Sequence, residues 1–363
     1  MLALTERRGG ANRGVTMTIG RRHLALTALT ALTLGAMLLG SFATASAQAD
    51  RTPPASDASR ALERAANAVV GLQAVAVSGA RSAGTLGRVR QGSGVVIDAD
   101  GLVLTIGYLI LEAEQVQLLT DDQRRIPARV VAYDLASGFG LVRALAPLKL
   151  EPVPLGRGRA LEASQPLMIA SGGEAGVISA AKLVSRRAFA GYWEYLVDDA
   201  LFTAPARPDH SGAGLFNERG ELVGIGSLFV SDAAGGNGRL PGNMFVPLDL
   251  LPPILPDLLS RGRSALSERA WMGVNCVEAD GRVRIVRVTD DSPADVAGLE
   301  AGDQILRLDG RPVPTLEALW RALWQGTGSR RAVQLEIERG GQPQTLTVHT
   351  VDRAATLRRA EGV

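Results

Sequence analysis

Histidine is almost missing from this sequence. Of 363 residues only His23, His210 and His349 are histidine, which excludes metal centres built on histidine clusters and leaves few side chains able to work as bases near neutral pH. Cysteine is rarer still: Cys276 stands alone, so no internal disulfide framework exists even in an oxidising compartment. Lysine occurs only at Lys149 and Lys182. No metal or cofactor is expected from this inventory. An excess of positive charge is also missing from the body of the chain. The overall balance is 39 basic against 37 acidic residues, yet residues 1–47 hold five arginines (Arg7, Arg8, Arg13, Arg21, Arg22) against Glu6 alone. The remaining 34 basic and 36 acidic residues carry a net charge of −2. A nucleic-acid partner, which needs its basic surface on the folded part, is therefore not expected.

What is present begins with an export leader. Arg21-Arg22 precede an apolar run from Leu24 to about Leu39, and Ala45-Ser46-Ala47 supplies the small residues of a cleavage site. Residues 1–47 read as a signal peptide and the protein as exported to the periplasm; the alternative is an uncleaved membrane anchor facing the same compartment, because the run is almost long enough to span a bilayer. The twin arginine leaves the export route open, and Met17 is a second candidate start. Residues 48–67, rich in Pro, Ala, Ser and charge, read as a flexible tether.

From Val69 the text turns to short apolar runs separated by turn residues, the pattern of strands in a barrel or sandwich. Strands are expected over 69–77, 94–97, 102–104, 116–119 and 126–133, then over 166–170, 176–184, 195–197, 215–216, 222–228 and 243–246, with a short helix over 250–259 closing the set. Residues 261–269 are polar and charged without apolar rhythm and read as a linker between a domain over 68–260 and another over 270–352; 353–363 is a tail. In the last domain Ser292 caps a short helix that ends at Gly298, and Leu316, Leu319, Trp320 and Leu323 mark one face of a second helix.

Two motifs carry a resemblance. Ser292-Pro293-Ala294 leading to Ala297-Gly298-Leu299, then Ala301-Gly302-Asp303-Gln304-Ile305-Leu306 and Asp309-Gly310, resembles a PDZ domain. Gln91-Gly92-Ser93-Gly94-Val95-Val96-Ile97-Asp98 and Gly101 to Thr105, with Ser211-Gly212 and Leu215 to Ile225, resemble the two barrels of the HtrA (Deg) family of trypsin-like serine proteases. The resemblance covers about residues 68–352 and implies a mainly β protein: a chymotrypsin-like double β-barrel followed by an α+β PDZ domain.

The chemistry departs from the family. Ser211 occupies the nucleophile position, but Tyr108 stands where the resemblance places the histidine base, and Gly138 where it places the aspartate. A phenol keeps its proton at neutral pH, and glycine has no side chain, so the serine lacks both supports that make a hydroxyl nucleophilic. At the oxyanion-hole positions, Asp209 and Ser211, the family's first glycine has become Asp209; a carboxylate there opposes developing negative charge, and a left-handed backbone at that residue would be strained. His210 adjoins Ser211 in the chain but neighbouring side chains diverge, and Lys182 falls on another strand. The expected protein is a pseudoprotease that binds exposed or C-terminal peptide segments, in a chaperone-like or scaffold role; the rival is an active serine endopeptidase of periplasmic quality control with a non-standard base. The resemblance places the peptide site at Trp271, Met272, Gly273 and Val274, whose loop receives a terminal carboxylate, with Leu316 and Trp320 as pocket residues on the facing helix. It also implies homo-oligomers formed through aromatic contacts ahead of the first barrel, yet residues 51–68 contain no Phe, Tyr or Trp. A membrane partner is expected only if the leader is uncleaved.

Overall fold

A computed structural model describes residues 57–358, apart from 175, 237 and 327. The leader, its cleavage site near Ala47 and the end of the tail lie outside the described residues. Two closed six-stranded barrels come first. Strands β1 (Val69–Ala76), β2 (Val89–Val96), β3 (Leu102–Ile106), β4 (Ala113–Leu119), β5 (Arg125–Tyr133) and β6 (Phe139–Ala144) close in the order β1-β2-β3-β6-β5-β4. The second barrel, of β7 (Pro166–Ala170), β8 (Ile178–Gly191), β9 (Tyr195–Ala204), β10 (Gly214–Phe216), β11 (Leu222–Val230) and β12 (Gly242–Pro247), closes as β10-β11-β12-β9-β8-β7. Closure removes open sheet edges and leaves each interior to be filled by side chains: Leu104, Leu118, Phe139 and Leu141 in the first barrel, Ile169, Leu201 and Phe245 in the second, all at most 1% exposed. The third domain holds β13 (Ala270–Trp271) paired with β20 (Val351–Asp352), and a sheet ordered β14 (Val274–Ala279), β15 (Arg282–Val288), β16 (Gln304–Leu308), β18 (Ala332–Arg339), β19 (Gln342–His349), with β17 (Arg311–Pro312) on β16. Its two helices are the short Pro293–Val296, capped by Ser292 Oγ accepting from Asp295 N–H, and Leu316–Trp324, capped by Thr315.

Several expectations are corrected. The tether is not flexible throughout: Asp57–Asn67 is an α-helix, with Asp57 in its first turn and Arg64 in its last, matching the helix dipole. Leu62, Ala65 and Ala66 fall on one face and pack on the first barrel. The closing helix runs over Leu255–Arg261 rather than 250–259, because Pro252 and Pro253 delay it. The linker is tied down. Buried Asp134 accepts hydrogen bonds from the N–H and hydroxyl of Ser264 and from the Ser267 hydroxyl, besides those of Ser137. Burial alone would raise its pKa, but these donors outweigh it and hold the carboxyl below its ordinary range. Asp134→Ala leaves those donors unpaired, and about 3 kcal/mol of stability is expected to be lost, read as a fall of roughly 6–12 °C in the unfolding midpoint. The tail also packs back, Arg358 N–H donating to Glu112 Oε1 at 2.8 Å.

The largest departure concerns β8 and β9. Strands expected over 176–184 and 195–197 extend into one long hairpin, paired from Lys182↔Ala204 to Gly191↔Tyr195. Nothing in the Arg186-Arg187 stretch stops the strand, so the hairpin outgrows its barrel and reaches the third domain. Leu196 lies in the same buried cluster as Met272, Val274, Cys276, Leu316, Leu319 and Trp320. The core of the third domain is shared with the hairpin.

Candidate functional site

The corner around Ser211 is built where the two barrels meet. Ser211 O accepts from Ser93 N–H at 2.9 Å, and Gly212 N–H donates to Gly226 O at 2.8 Å. Gly212 has φ +74°, and a Cβ there would lie 2.0 Å from Ser93 O, so only glycine lets the nucleophile loop dock against the first barrel. Tyr108 sits in the single helical turn Gly107–Leu109 that follows β3, held by buried Arg90, whose guanidinium donates to Tyr108 O at 3.0 Å and Leu111 O at 2.6 Å.

The structure brings Tyr108 and Ser211 together: Tyr108 Oη lies 2.7 Å from Ser211 Oγ and 2.8 Å from Ser227 O. Ser227 O can only accept, so the phenol proton goes to it and the serine hydroxyl donates its own proton to the phenol oxygen. Burial pushes the Tyr108 pKa up to about 12, with the Ser211 contact opposing. The group next to the nucleophile is thus a neutral phenol at neutral pH, a poor acceptor for a proton in transit. Among the described residues Tyr108 Oη is the one recorded hydrogen-bond partner of Ser211 Oγ.

Gly138 is filled space rather than a gap. Its φ is +83°, and a Cβ there would lie 2.6 Å from Tyr195 Oη, which donates to Ser137 O at 2.7 Å. Tyr195 therefore takes up the volume that an acid at this position would need. Sequence reasoning missed it, because nothing local ties residue 195 to residue 138.

Asp209 corrects one expectation: its backbone is not among those with positive φ, so no strain of that kind exists. Its carboxylate is held in a local network, paired with Arg207 at 3.0 Å and accepting from Ser171 Oγ. Burial raises its pKa, and Arg207, Ser171 and its own backbone N–H more than reverse that. His210 points to the loop, its Nδ1 2.9 Å from Arg207 O, and Lys182 is an exposed residue of β8.

The second site is the groove between β14 and the helix Leu316–Trp324. In the loop Trp271-Met272-Gly273-Val274 the N–H groups of the last three residues converge on one side, and Gly273 at φ +94° is required there, since a Cβ would meet Ser292 Cβ at 2.3 Å. The groove is not open, however. Leu316 and Trp320, expected as pocket residues, are 7% and 0% exposed. Trp320 Nε1–H donates to Gly191 O at 2.9 Å, because the tip of the β8–β9 hairpin lies over them. Glu194, at that tip, is the residue sequence reasoning missed here. The one available signal was an acid flanked by aromatics, Tyr192-Trp193-Glu194-Tyr195, at a turn.

Residues 92–225 match the trypsin-like peptidase domain and residues 270–350 the PDZ domain. A peptidase double barrel joined to a PDZ domain defines an HtrA-type architecture. The two matched domains in this order, with DegP-like relatives and HtrA-type structural neighbours, support an HtrA-type trypsin-like serine protease family for this chain. It is 29% identical over 289 residues to a probable periplasmic serine endoprotease DegP-like of Pseudomonas fulva, covering 74% of this chain and 58% of that protein. It is 28% identical over 295 residues to a putative serine protease HhoA of Synechocystis, covering 72% and 70%. The chain spans only about half to three fifths of the length of the DegP-like relatives. Among solved structures it is similar in fold to the HtrA-type protease AlgW with tripeptide, at TM-score 0.51 and 21% identity over 84% of this chain and 99% of that one. The serine endoprotease from Yersinia pestis gives 0.51, 21%, 83% and 99%. No helix among the described residues is long and apolar enough to cross a membrane.

Proposed function

We propose that this is a periplasmic, proteolytically silent HtrA-type protein that binds exposed or C-terminal peptide segments, as a chaperone-like or scaffold factor. The observation that carries the silence is the Tyr108 bridge: Ser211 Oγ donates to a buried neutral phenol, and the phenol's own proton is committed to Ser227 O. At Gly138 no side chain is present to hold a base, and Tyr195 takes up the space beside it; the Asp209 carboxylate, a negative charge at the oxyanion corner, is paired with Arg207. In serine proteases the loss of triad members costs on the order of 10⁴ or more in turnover, and what remains rests on an intact oxyanion hole. Periplasmic location is supported by the leader and by the relatives' names. Peptide binding is supported by the PDZ match and by HtrA-type structures described with a tripeptide and a decapeptide.

The test is direct. The exported protein is incubated with unfolded casein and with a fluorophosphonate probe, beside Ser211→Ala. Neither cleavage nor labelling above the alanine variant is expected. Labelling and cleavage that both vanish in Ser211→Ala establish the rival, an active endopeptidase with a non-standard base.

A further inference from the structure

The groove that a peptide would enter already holds a segment of the chain. Glu194 is 7% exposed, and its carboxylate accepts from three successive backbone N–H groups: Met272 at 3.0 Å, Gly273 at 2.6 Å and Val274 at 3.1 Å. Successive N–H groups around a turn form a concave anion site, and a side-chain carboxylate presents to it the same two oxygens as a chain terminus. The backbone leading to Glu194 completes the likeness. Tyr192 O accepts from Cys276 N–H at 2.7 Å, and Trp193 forms an antiparallel bridge to Asn275. The run Tyr192-Trp193-Glu194 thus lies antiparallel to β14 and heads into the loop, the polarity of an added peptide strand whose last residue meets the N–H groups. On the opposite wall the helix contributes the bond from Trp320 Nε1 to Gly191 O. Ala188, Ala190 and Leu196, from both arms of the hairpin, pack on the domain's core. At the rim Arg321 pairs with Asp198.

We propose that the hairpin tip Gly191–Glu194 is a built-in ligand of the groove, and that an external peptide ending in a free carboxylate binds only by displacing it. This rests on the peptide-binding reading above and names its regulation. The latch and the guest compete for the same three N–H groups and the same free face of β14, so both cannot be seated together. A tethered competitor acts at an effective concentration in the millimolar range, well above the micromolar affinity usual for short added strands. Entry is therefore open only to the fraction of molecules whose tip is released, and the observed affinity is reduced by that fraction.

The experiment uses the full exported chain with a fluorescein-labelled Phe-Ala-Gly-Tyr-Trp-Leu peptide, free or amidated at its C-terminus, read by fluorescence polarisation. Amide hydrogen exchange over residues 272–276 is followed in parallel. Glu194→Ala removes the internal carboxylate, and Glu194→Gln keeps shape and one acceptor oxygen while removing charge; the glutamine variant also serves where the alanine variant does not fold. At about pH 6 Glu194→Ala is expected to exchange faster over 272–276 and to bind the free-acid probe at least about tenfold more tightly than wild type, while Glu194→Gln, which keeps one acceptor oxygen and removes only the charge, is expected to fall between wild type and alanine, with the amide weaker throughout. Unchanged exchange in both variants overturns the latch whatever the probe does. Faster exchange with equal probe affinity overturns the competition. Faster exchange with no probe binding in any form leaves the tip as an internal ligand and sinks instead the reading that the groove takes peptides.

Discussion

Placing an aspartate at position 138 and a histidine at position 108 is expected to unsettle the fold before it produces any cleavage. Gly138→Asp should lower stability by about 2–4 kcal/mol, from two sources: a side chain forced to φ +83°, and a Cβ set 2.6 Å from Tyr195 Oη. For a chain of this size that is a fall of roughly 5–15 °C in the unfolding midpoint. Adding Tyr195→Phe removes the nearest of those contacts and should recover part of the loss, which separates crowding from backbone strain. Tyr108→His alone places an imidazole beside Ser211 with no acid to set its tautomer, a lesion worth about 10⁴ in the best-studied case. Cleavage of unfolded casein is therefore expected to stay at background in Tyr108→His and in Tyr108→His/Gly138→Asp. Activity restored by Tyr108→His by itself, with Asp209 unchanged, would show that the oxyanion site is intact and that the substitution of the base is the whole lesion.

Raising the pH through 7 is expected to loosen the hairpin latch. Burial raises the Glu194 pKa from 4.5 to about 7, against the pull of the Met272, Val274 and Gly273 N–H groups and of Arg353. The neighbouring Cys276 thiol, itself pushed up by burial and by Glu194, stays neutral over this range. The sign follows from linkage: the seated carboxyl holds its proton more tightly than the released one. Seating is therefore strongest below about pH 4.5, weakens as the pH rises, and reaches its floor above about pH 7. A shift of this size corresponds to roughly three hundredfold in the seating equilibrium. The guest's own terminal carboxylate, with an ordinary pKa of about 3.5, is ionised throughout, so probe affinity should rise between about pH 5 and pH 8 in wild type and stay nearly flat in Glu194→Gln. Carbon-13 resonances of labelled glutamate give the second readout. A Glu194 carboxyl that titrates near 4.5 in the intact protein removes the basis of this pH dependence.

The order of strands, the two barrels and the PDZ domain could all be read along the chain. Each depends on local signals: alternating apolar residues, turn glycines, a serine cap, and motifs that keep their spacing. The same local reading put Ser211, Tyr108 and Gly138 at one corner, and Met272 to Val274 in one loop. It stopped short where a residue's role is set by something distant in sequence. Tyr195 fills the place of an acid 57 positions before it, and Tyr108 caps a serine more than a hundred positions after it. Leu316 and Trp320, which are apolar and regularly spaced, looked the same as open pocket or as covered core. Only the length of the β8–β9 hairpin decided between them. That length follows from continued strand pairing past Arg186 and Arg187, and its consequence appears only in three dimensions, where the hairpin carries Glu194 into a ring of N–H groups 78 to 80 residues further along the chain. Composition and pattern determine what a segment can form. Which surface it covers is decided by packing, because burial and hydrogen bonding reward contacts without regard to their separation in sequence.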